Sequence, residues 1–218
     1  MKIERATLGP YETNAYVLWD ETTRRCAIVD APPEAAAVLL PEIRRRALTL
    51  EALLLTHGHW DHMCDAGALA AAVPGLAVFA NRDDAAQYAH PEQFAPWYMA
   101  GMPELTEDAF KPVEVTRWLT DGDTFEVIGS TFEARHVPGH CPGNLLFYCA
   151  TEKVAFPGDV IFRESVGRTD LPGGDWATLR ASVRNRVFTL PAETVLLPGH
   201  GPATSVEHEI ANNPHVRP

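Results

Sequence analysis

The chain has 218 residues, of which 46% are hydrophobic and 22% are charged, and its formal net charge is −11. This length predicts one domain over 1–218 that can bury a substantial core. The acidic balance argues against a nucleic-acid partner, which would require a basic surface.

The cellular context is predicted from segments that the sequence lacks. No apolar run approaches the length that crosses a membrane, and residues 1–19 lack the apolar core of a signal peptide. The four cysteines form no CxxC pair, which is typical of reduced thiols. We therefore expect a cytoplasmic protein that has no membrane partner and acts on a small substrate. The sequence carries no signal for an oligomeric state.

Strands and helices are predicted along most of the chain from hydrophobic periodicity and turn residues. The first half is predicted to contain a hairpin over 15–19 and 26–29, helices over 34–47 and 63–72, and strands over 52–55 and 76–80. The second half is predicted to contain an antiparallel group over 124–128, 131–137, 144–149 and 154–156, then a helix from Asp175 to about 187, a strand over 194–197 and a helix over 206–211. This order predicts an α/β layered fold.

Residues 81–112 show no regular period and mix prolines with aromatic residues. One interpretation is a connector whose aromatic side chains pack on the core. The other is an insert that forms a wall or lid over a substrate, because long loops near sites often have this role.

Four titratable side chains lie within six positions directly after a run of leucines. Leu53, Leu54 and Leu55 predict a strand that is buried on both faces, and the histidine-rich segment 57–62 follows it. Imidazoles and a carboxylate beside a core are costly unless they are compensated. They are also the usual ligands of zinc and related ions, so the segment predicts a metal site rather than a solvated loop.

Three further His or Asp residues follow predicted strands through a Pro-Gly dipeptide. Proline ends a strand and glycine permits a tight turn, so the next side chain projects from the end of the strand. We expect these residues to lie at the same rim of the sheets as His57. They are His140, Asp159 and His200.

The segment THGHWDH over 56–62 is similar to the THxHxDH signature of the metallo-β-lactamase superfamily. The PGH, GD and PGH segments follow in that family's order, and the resemblance extends from Gly9 to Pro202. It implies a four-layer αβ/βα sandwich, in which two sheets lie face to face between outer helices and the metal site lies at one edge.

The same resemblance implies two divalent ions and a hydroxide between them that attacks an electrophilic carbon. Zinc is the first expectation, and iron or manganese are alternatives. Asp61 is assigned a second role, as the acceptor that orients the hydroxide. The implied ligands are His57, His59 and His140 for the first ion, Asp61, His62 and His200 for the second, and Asp159 as the bridge.

Within the superfamily, the chain most resembles the compact glyoxalase II-like branch. Members of that branch share the segments FPGDVIFRESVGRTDLPGG and EIANNP in recognisable form. β-Lactamase branches typically lack the bridging aspartate, and nuclease branches usually add a domain for nucleic acid. The resemblance therefore implies a hydrolase of hydroxyacyl thioesters whose substrate is an anionic thioester such as an S-acylglutathione. A thioester suits this site because its leaving group is a thiolate. The pKa of a thiol is about 8.5, so the thiolate departs without a general acid.

A persulfide dioxygenase on the same fold is the alternative function. That enzyme class also carries a GRTD segment, and it uses a single iron. Its iron would take a subset of the same ligands, such as His59, His140 and Asp159.

Arg168 has two interpretations. The equivalent position in glyoxalase II carries a basic residue that contacts glutathione, which predicts a substrate-binding role. An ion pair with Asp170 inside a structural turn is the other interpretation. Asp170 and Pro202 stand where the family has aromatic residues, so the thioester assignment is stronger than the glutathione assignment. Cys64 replaces the family's usual glycine, and we expect Cys64 and Cys141 to be packing residues rather than nucleophiles.

Overall fold

The structure of the protein is a computed structural model that describes residues 1–94 and 111–218. One six-stranded sheet is built from β1 (Lys2–Leu8), β2 (Thr13–Trp19), β3 (Arg25–Val29), β4 (Thr49–Leu54), β5 (Ala77–Asn81) and β6 (Arg117–Leu119), in this spatial order. β1, β2 and β3 pair antiparallel, and β3 to β6 pair parallel. The predicted hairpin over 15–19 and 26–29 is confirmed as β2 and β3.

A second sheet contains the predicted antiparallel group. Its strands are β7 (Thr124–Val127), β8 (Ser130–His136), β9 (Leu145–Cys149), β10 (Val154–Phe156), β13 (Val195–Leu196) and β14 (Thr204–Ser205). β7 to β10 pair antiparallel in sequence order, and β13 joins β10 in parallel. A separate hairpin consists of β11 (Ile161–Phe162) and β12 (Ser165–Val166).

Short helices connect the strands. They are α1 (Ala35–Arg45), α2 (Trp60–Met63), α3 (Ala66–Ala72), α4 (Ala85–Ala89), α5 (Trp176–Ser182), which continues as a π-helical turn over Val183–Val187, and α6 (Val206–Asn212). The carboxylate of Asp175 accepts a hydrogen bond from the Thr178 amide, so the predicted helix cap is confirmed. Among the described residues, none of the helices combines the length and the apolar character that a bilayer span requires.

The predicted helix over 63–72 was wrong in one respect, because the structure has two short helices in this region. Asp65 separates α2 from α3 and is tied to the start of α1. Its amide donates to the Ala31 carbonyl at 3.0 Å, and its carboxylate accepts from the Ala36 amide at 2.9 Å. These tertiary hydrogen bonds turn the chain where the periodicity alone favours a continuous helix.

Three buried cores separate four layers of secondary structure. Leu53 and Leu55 face the helices α1 and α3, whereas Leu54 faces the space between the two sheets. The third core packs the second sheet against α5 and α6, with Leu179 and Val206 at its centre. The predicted α/β layered fold, with helices outside two facing sheets, is therefore confirmed. The strand at 49–54 is buried on both faces, as its leucine run predicts.

Candidate metal centre

The predicted ligands lie together where four strands end at the same rim. His57, His140, Asp159 and His200 each follow the last residue of a strand by a few positions, after β4, β8, β10 and β13 respectively. An isolated bridge between Thr13 and His200 joins the two sheets at this rim. The site is thus made from both halves of the chain.

One group of ligands is the three-histidine cluster of His57, His59 and His140. The ring centroids are 4.8 Å apart for His57 and His59, 5.0 Å for His57 and His140, and 4.4 Å for His59 and His140. One nitrogen of each ring lies within 4.8 Å of the others. All three side chains are buried. This spacing allows the three imidazoles to share one ion.

The other group is the mixed cluster of Asp61, His62 and His200. The Nε2 atoms of His62 and His200 are 3.3 Å apart, and His200 Nε2 is 3.3 Å from Asp61 Oδ2. Asp61 and His62 belong to α2, which begins directly after His59. The dense segment 57–62 therefore supplies side chains to two adjacent clusters. The clusters adjoin closely, because the ring centroids of His57 and His62 are 4.1 Å apart.

Asp159 lies between the two clusters. Its Oδ1 is 3.3 Å from His62 Nε2, and its Oδ2 is 3.3 Å from His200 Nε2 and 3.7 Å from His140 Nε2. The Asp159 amide donates to Asn144 Oδ1 at 3.4 Å. A single carboxylate thus contacts imidazoles from both clusters.

The remaining ring nitrogen of four of the histidines is held by a neighbour. This contact directs Nε2 into the site, which is the usual arrangement of metal-binding histidines. The partners of Nδ1 are Thr56 Oγ1 for His57 at 3.0 Å, Asp30 Oδ2 for His62 at 2.8 Å, the Arg168 carbonyl for His140 at 2.9 Å, and the Tyr11 carbonyl for His200 at 3.1 Å.

Three buried polar atoms that face the site have no hydrogen-bond partner among the described residues. They are His57 Nε2, His140 Nε2 and Asp159 Oδ1. A buried polar atom without a partner costs on the order of 1–3 kcal/mol. Divalent cations would satisfy all three, since each atom can offer a lone pair. The chemistry of this donor set therefore fits metal ions.

The charge states of the two clusters differ. Burial, followed by the neighbouring imidazoles, lowers the pKa of His57 well below its usual value and lowers the pKa of His59 to about 3. Burial also opposes charge on His200, but Asp159 and Asp61 outweigh it and raise the pKa of His200 to about 9. His57 and His59 are therefore neutral and ready to bind a cation. The mixed cluster already pairs positive and negative groups.

A cavity of about 610 Å³ opens over both clusters. Phe94, Phe162, Leu171 and Pro172 give it an apolar wall. Arg168 lies at its edge with a 60% exposed side chain and makes two hydrogen bonds to Asp170, at 2.7 and 2.8 Å. The ion pair that was one interpretation of Arg168 is present. The guanidinium nevertheless remains accessible from the cavity.

A comparison with protein families identifies the chain. The model of the Metallo-beta-lactamase superfamily matches residues 8–200. The chain belongs to this superfamily. The resemblance in the histidine and Pro-Gly segments is thus confirmed over most of the sequence, and the chain is an enzyme of the metallo-beta-lactamase family.

Similar proteins include several members of the superfamily. Hydroxyacylglutathione hydrolase GloC of Haemophilus influenzae is 36% identical over 219 residues, which covers 99% of this chain and 98% of that protein. The crystal structure of BLEG-1 B3 metallo-beta-lactamase is 34% identical with a TM-score of 0.86 and covers 98% of both chains. The crystal structure of ETHE1 from Myxococcus xanthus is 25% identical with a TM-score of 0.80, covering 99% of this chain and 84% of that one.

Several residues of this metallo-beta-lactamase site were not predicted from the sequence. Asp30 binds His62 Nδ1 and also accepts from Thr56 N and Oγ1, each at 2.8 Å. Thr13 Oγ1 donates to Asp61 Oδ2 at 3.1 Å. Asp30 directly follows β3, so the rule that polar residues after strands reach the rim could have found it. Thr13 gave no signal, because threonine is common in strands.

Proposed function

We propose that the protein is a metal-dependent hydrolase of hydroxyacyl thioesters that binds two divalent ions. The observation that carries this proposal is Asp159, whose carboxylate lies between the three-histidine cluster and the mixed cluster. The name of the Haemophilus influenzae relative, hydroxyacylglutathione hydrolase, supports the substrate class. Zinc is the first candidate metal, with iron or manganese as alternatives, since this donor set suits all three.

The residues of the chain have distinct roles in this reaction. Bound divalent ions would supply a lowered pKa for water and positive charge for a developing oxyanion. Asp61 lines the cavity, and Thr13 fixes one of its carboxylate oxygens by a hydrogen bond at 3.1 Å. We propose that Asp61 both serves as a ligand and orients the attacking water. The apolar wall formed by Phe94, Phe162 and Leu171 would exclude bulk water from the scissile bond.

A thioester requires less from the protein than an amide does, as would a lactone or another activated ester. The leaving thiol has a pKa of about 8.5, so the thiolate departs without a proton donor. An amide leaving group would need protonation by a general acid. The approach of the substrate is bounded by Gln87, Gln93 and Phe94, which line the cavity. We propose that the segment 81–112 forms a wall or lid over the substrate within a single domain over 1–218, although its residues 95–110 lie outside the described part.

Replacing Arg168 by alanine should raise the KM for an anionic thioester about fivefold and leave kcat and metal content unchanged. An exposed ion pair contributes up to about 1 kcal/mol, which corresponds to about this factor. A change in KM alone indicates the loss of binding that is equal in the ground state and the transition state. Steady-state kinetics with S-acylglutathiones of different charge measure this effect.

Asp170→Ala is the matched control for Arg168. It releases the guanidinium from its ion pair and should lower the KM for the same anionic substrate. The pKa of Asp170 is lowered to about 2, chiefly by its hydrogen bond from Arg168, so the pair is fully ionised throughout the assay range of pH 6 to 9. If both variants unfold, or if kcat falls while KM is unchanged, the turn-stabilising role of the pair is the correct one.

The cysteines should not participate in the reaction. Cys64 and Cys141 are buried, and burial raises the pKa of each thiol, with Asp65 and Asp84 respectively adding to the effect. Cys64→Ala should keep most of the activity, and iodoacetamide should not inactivate the native enzyme at pH 7. Chelation should abolish hydrolysis, and added metal should restore it. An acyl group trapped on either thiol, detected by mass spectrometry, would contradict this mechanism.

A second candidate is a persulfide dioxygenase with a single iron. The similarity to ETHE1 from Myxococcus xanthus favours it, together with the GRTD segment at 167–170. The two functions differ in metal content and in the use of oxygen. They would share ligands such as His59, His140 and Asp159.

The deciding experiment combines metal analysis with a substrate panel. Protein purified without added metal should contain two divalent ions per chain and hydrolyse S-acylglutathiones without consuming oxygen. The panel should also include a glutathione persulfide and β-lactams, because of the similarity to ETHE1 and to BLEG-1. One iron per chain with oxygen uptake on the persulfide would assign the protein to the second candidate. We further propose a cytoplasmic location, which fractionation of the native host would test.

A further inference from the structure

Asp84 is a buried carboxylate that belongs to neither ligand cluster. Its side chain has no exposed surface, and it lies in the short turn Arg82–Asp84 that links β5 to α4. Asp84 Oδ2 accepts from the Gly58 amide at 2.8 Å and from Cys141 Sγ at 3.3 Å. Asp84 Oδ1 accepts from the Gly143 amide at 2.8 Å. Three donors therefore compensate the burial of this charge.

The donors belong to the two loops that carry the three-histidine cluster. Gly58 separates His57 from His59 in the loop after β4, and Cys141 directly follows His140 in the loop after β8. These loops arise from different sheets. The hydrogen bonds of Asp84 therefore connect both loops to one side chain.

The contact is also close in space. A Cβ atom added at Gly143 would lie 2.4 Å from Asp84 Cγ, and one added at Gly58 would lie 2.9 Å from Asp84 Cβ. Both loops therefore approach the carboxylate more closely than any side chain at these positions allows. The backbone beside His57, His59 and His140 therefore packs against one side chain.

We propose that Asp84 is a positioning residue that sets the affinity of the three-histidine cluster for its ion. Its hydrogen bonds to the described residues include none with a ligand side chain, and it acts through the backbone on either side of the ligands. Asp30 has the corresponding role for the mixed cluster, but it does so by direct contact with His62. The inference rests on the proposed metal binding. Asp30 also reaches His57 through Thr56 Oγ1, whereas the hydrogen bonds described for Asp84 involve only the loops of the three-histidine cluster.

The test isolates each cluster before Asp84 is changed. In a His200→Ala background the mixed cluster is disabled, and in a His140→Ala background the three-histidine cluster is disabled. Zn²⁺ affinity is then measured by competition with a chromophoric chelator. Asp84→Asn should weaken the remaining site about 10-fold in the His200→Ala background, and Asp84→Ala up to about 100-fold, which is the range for residues that support metal ligands. Neither change should alter the remaining site in the His140→Ala background.

Asp83→Asn is the matched control, because it makes the same chemical change one residue away on a carboxylate that is 58% exposed. It should leave both affinities unchanged. Gly143→Ala provides an independent perturbation, since the new methyl group pushes on Asp84 from the opposite side, and it should reproduce the selective loss. A purely structural role predicts equal losses in both backgrounds, and this result, or no loss in either, would overturn the proposal. A parent chain that binds no divalent ion would instead refute the proposed function itself.

Discussion

Asp159→Ala should lose at least one equivalent of metal and lower thioester hydrolysis by more than about 100-fold. Loss of a residue that only supports a ligand costs about 10–100-fold, and removal of a ligand shared by two ions should exceed that. Asp159 is 6% exposed, and its oxygens lie within 3.7 Å of His62, His140 and His200. Without Asp159, no carboxylate of the described residues contacts imidazoles of both clusters.

Metal analysis and steady-state kinetics on the same preparation measure this loss. Asp159→Asn is the isosteric companion, because it keeps the volume and one oxygen while removing the charge. Both variants should remain folded, since Asp159 belongs to none of the three cores. Full metal content together with turnover close to that of the parent would show that Asp159 does not join the two clusters.

The layered fold was predictable because its signals are local. Three consecutive leucines can all be buried only if both faces of the strand are covered, and the structure places Leu53 and Leu55 in one core and Leu54 in another. The Asp175 cap is local in the same sense, since its acceptor and the Thr178 amide are three residues apart. Such features depend on interactions between residues that are close in the sequence, so they can be predicted from a single sequence.

The elements that were missed lack such signals. β11, β12 and β14 have two residues each, which is too short for a period to appear. β13 is equally short, but it lies within the strand predicted over 194–197. β1 alternates poorly because it is an edge strand with mostly exposed polar residues. β6 follows the segment that showed no regular period, and its pairing with β5 provides the order that its own sequence does not.

The residues of the site also fall into those that local sequence signals predict and those that they do not. The Pro-Gly turns mark where strands end, so the sequence alone predicts that His140, Asp159 and His200 lie at one rim. Apart from Asp30, the residues that support the ligands could not be placed, because their contacts join distant parts of the chain. Asp84 meets Gly143 across 59 positions, and the Tyr11 carbonyl meets His200 across 189. The backbone carbonyls of Tyr11 and Arg168 also contact ligands, and such contacts cannot be predicted from residue type because every residue has a backbone carbonyl.

Gly199→Ala should abolish binding of the ion in the mixed cluster and lower turnover by more than about 100-fold, comparably to loss of a ligand. A Cβ atom at this position would lie 2.2 Å from Asp159 Oδ1 and 2.5 Å from His62 Cε1. The glycine is required here by the space around it and not by a positive φ. The methyl group must therefore displace the carboxylate, His62 or the loop that presents His200.

The matched control is Gly201→Ala, two residues further along the same loop. Gly201 has a φ of +72°, and no atom of the described residues lies within 4 Å of an added Cβ, so alanine there strains the backbone without entering the site. Left-handed backbone costs a non-glycine residue about 1–2 kcal/mol, which should appear as a lower Tm with metal content and kcat retained. Gly199→Ala should show the opposite combination, a loss of metal with a folded core. Two bound ions and parental turnover in Gly199→Ala would contradict this prediction. The ligands would then have more room than their distances indicate, and the reaction would not need the tight packing of Asp159 against this loop.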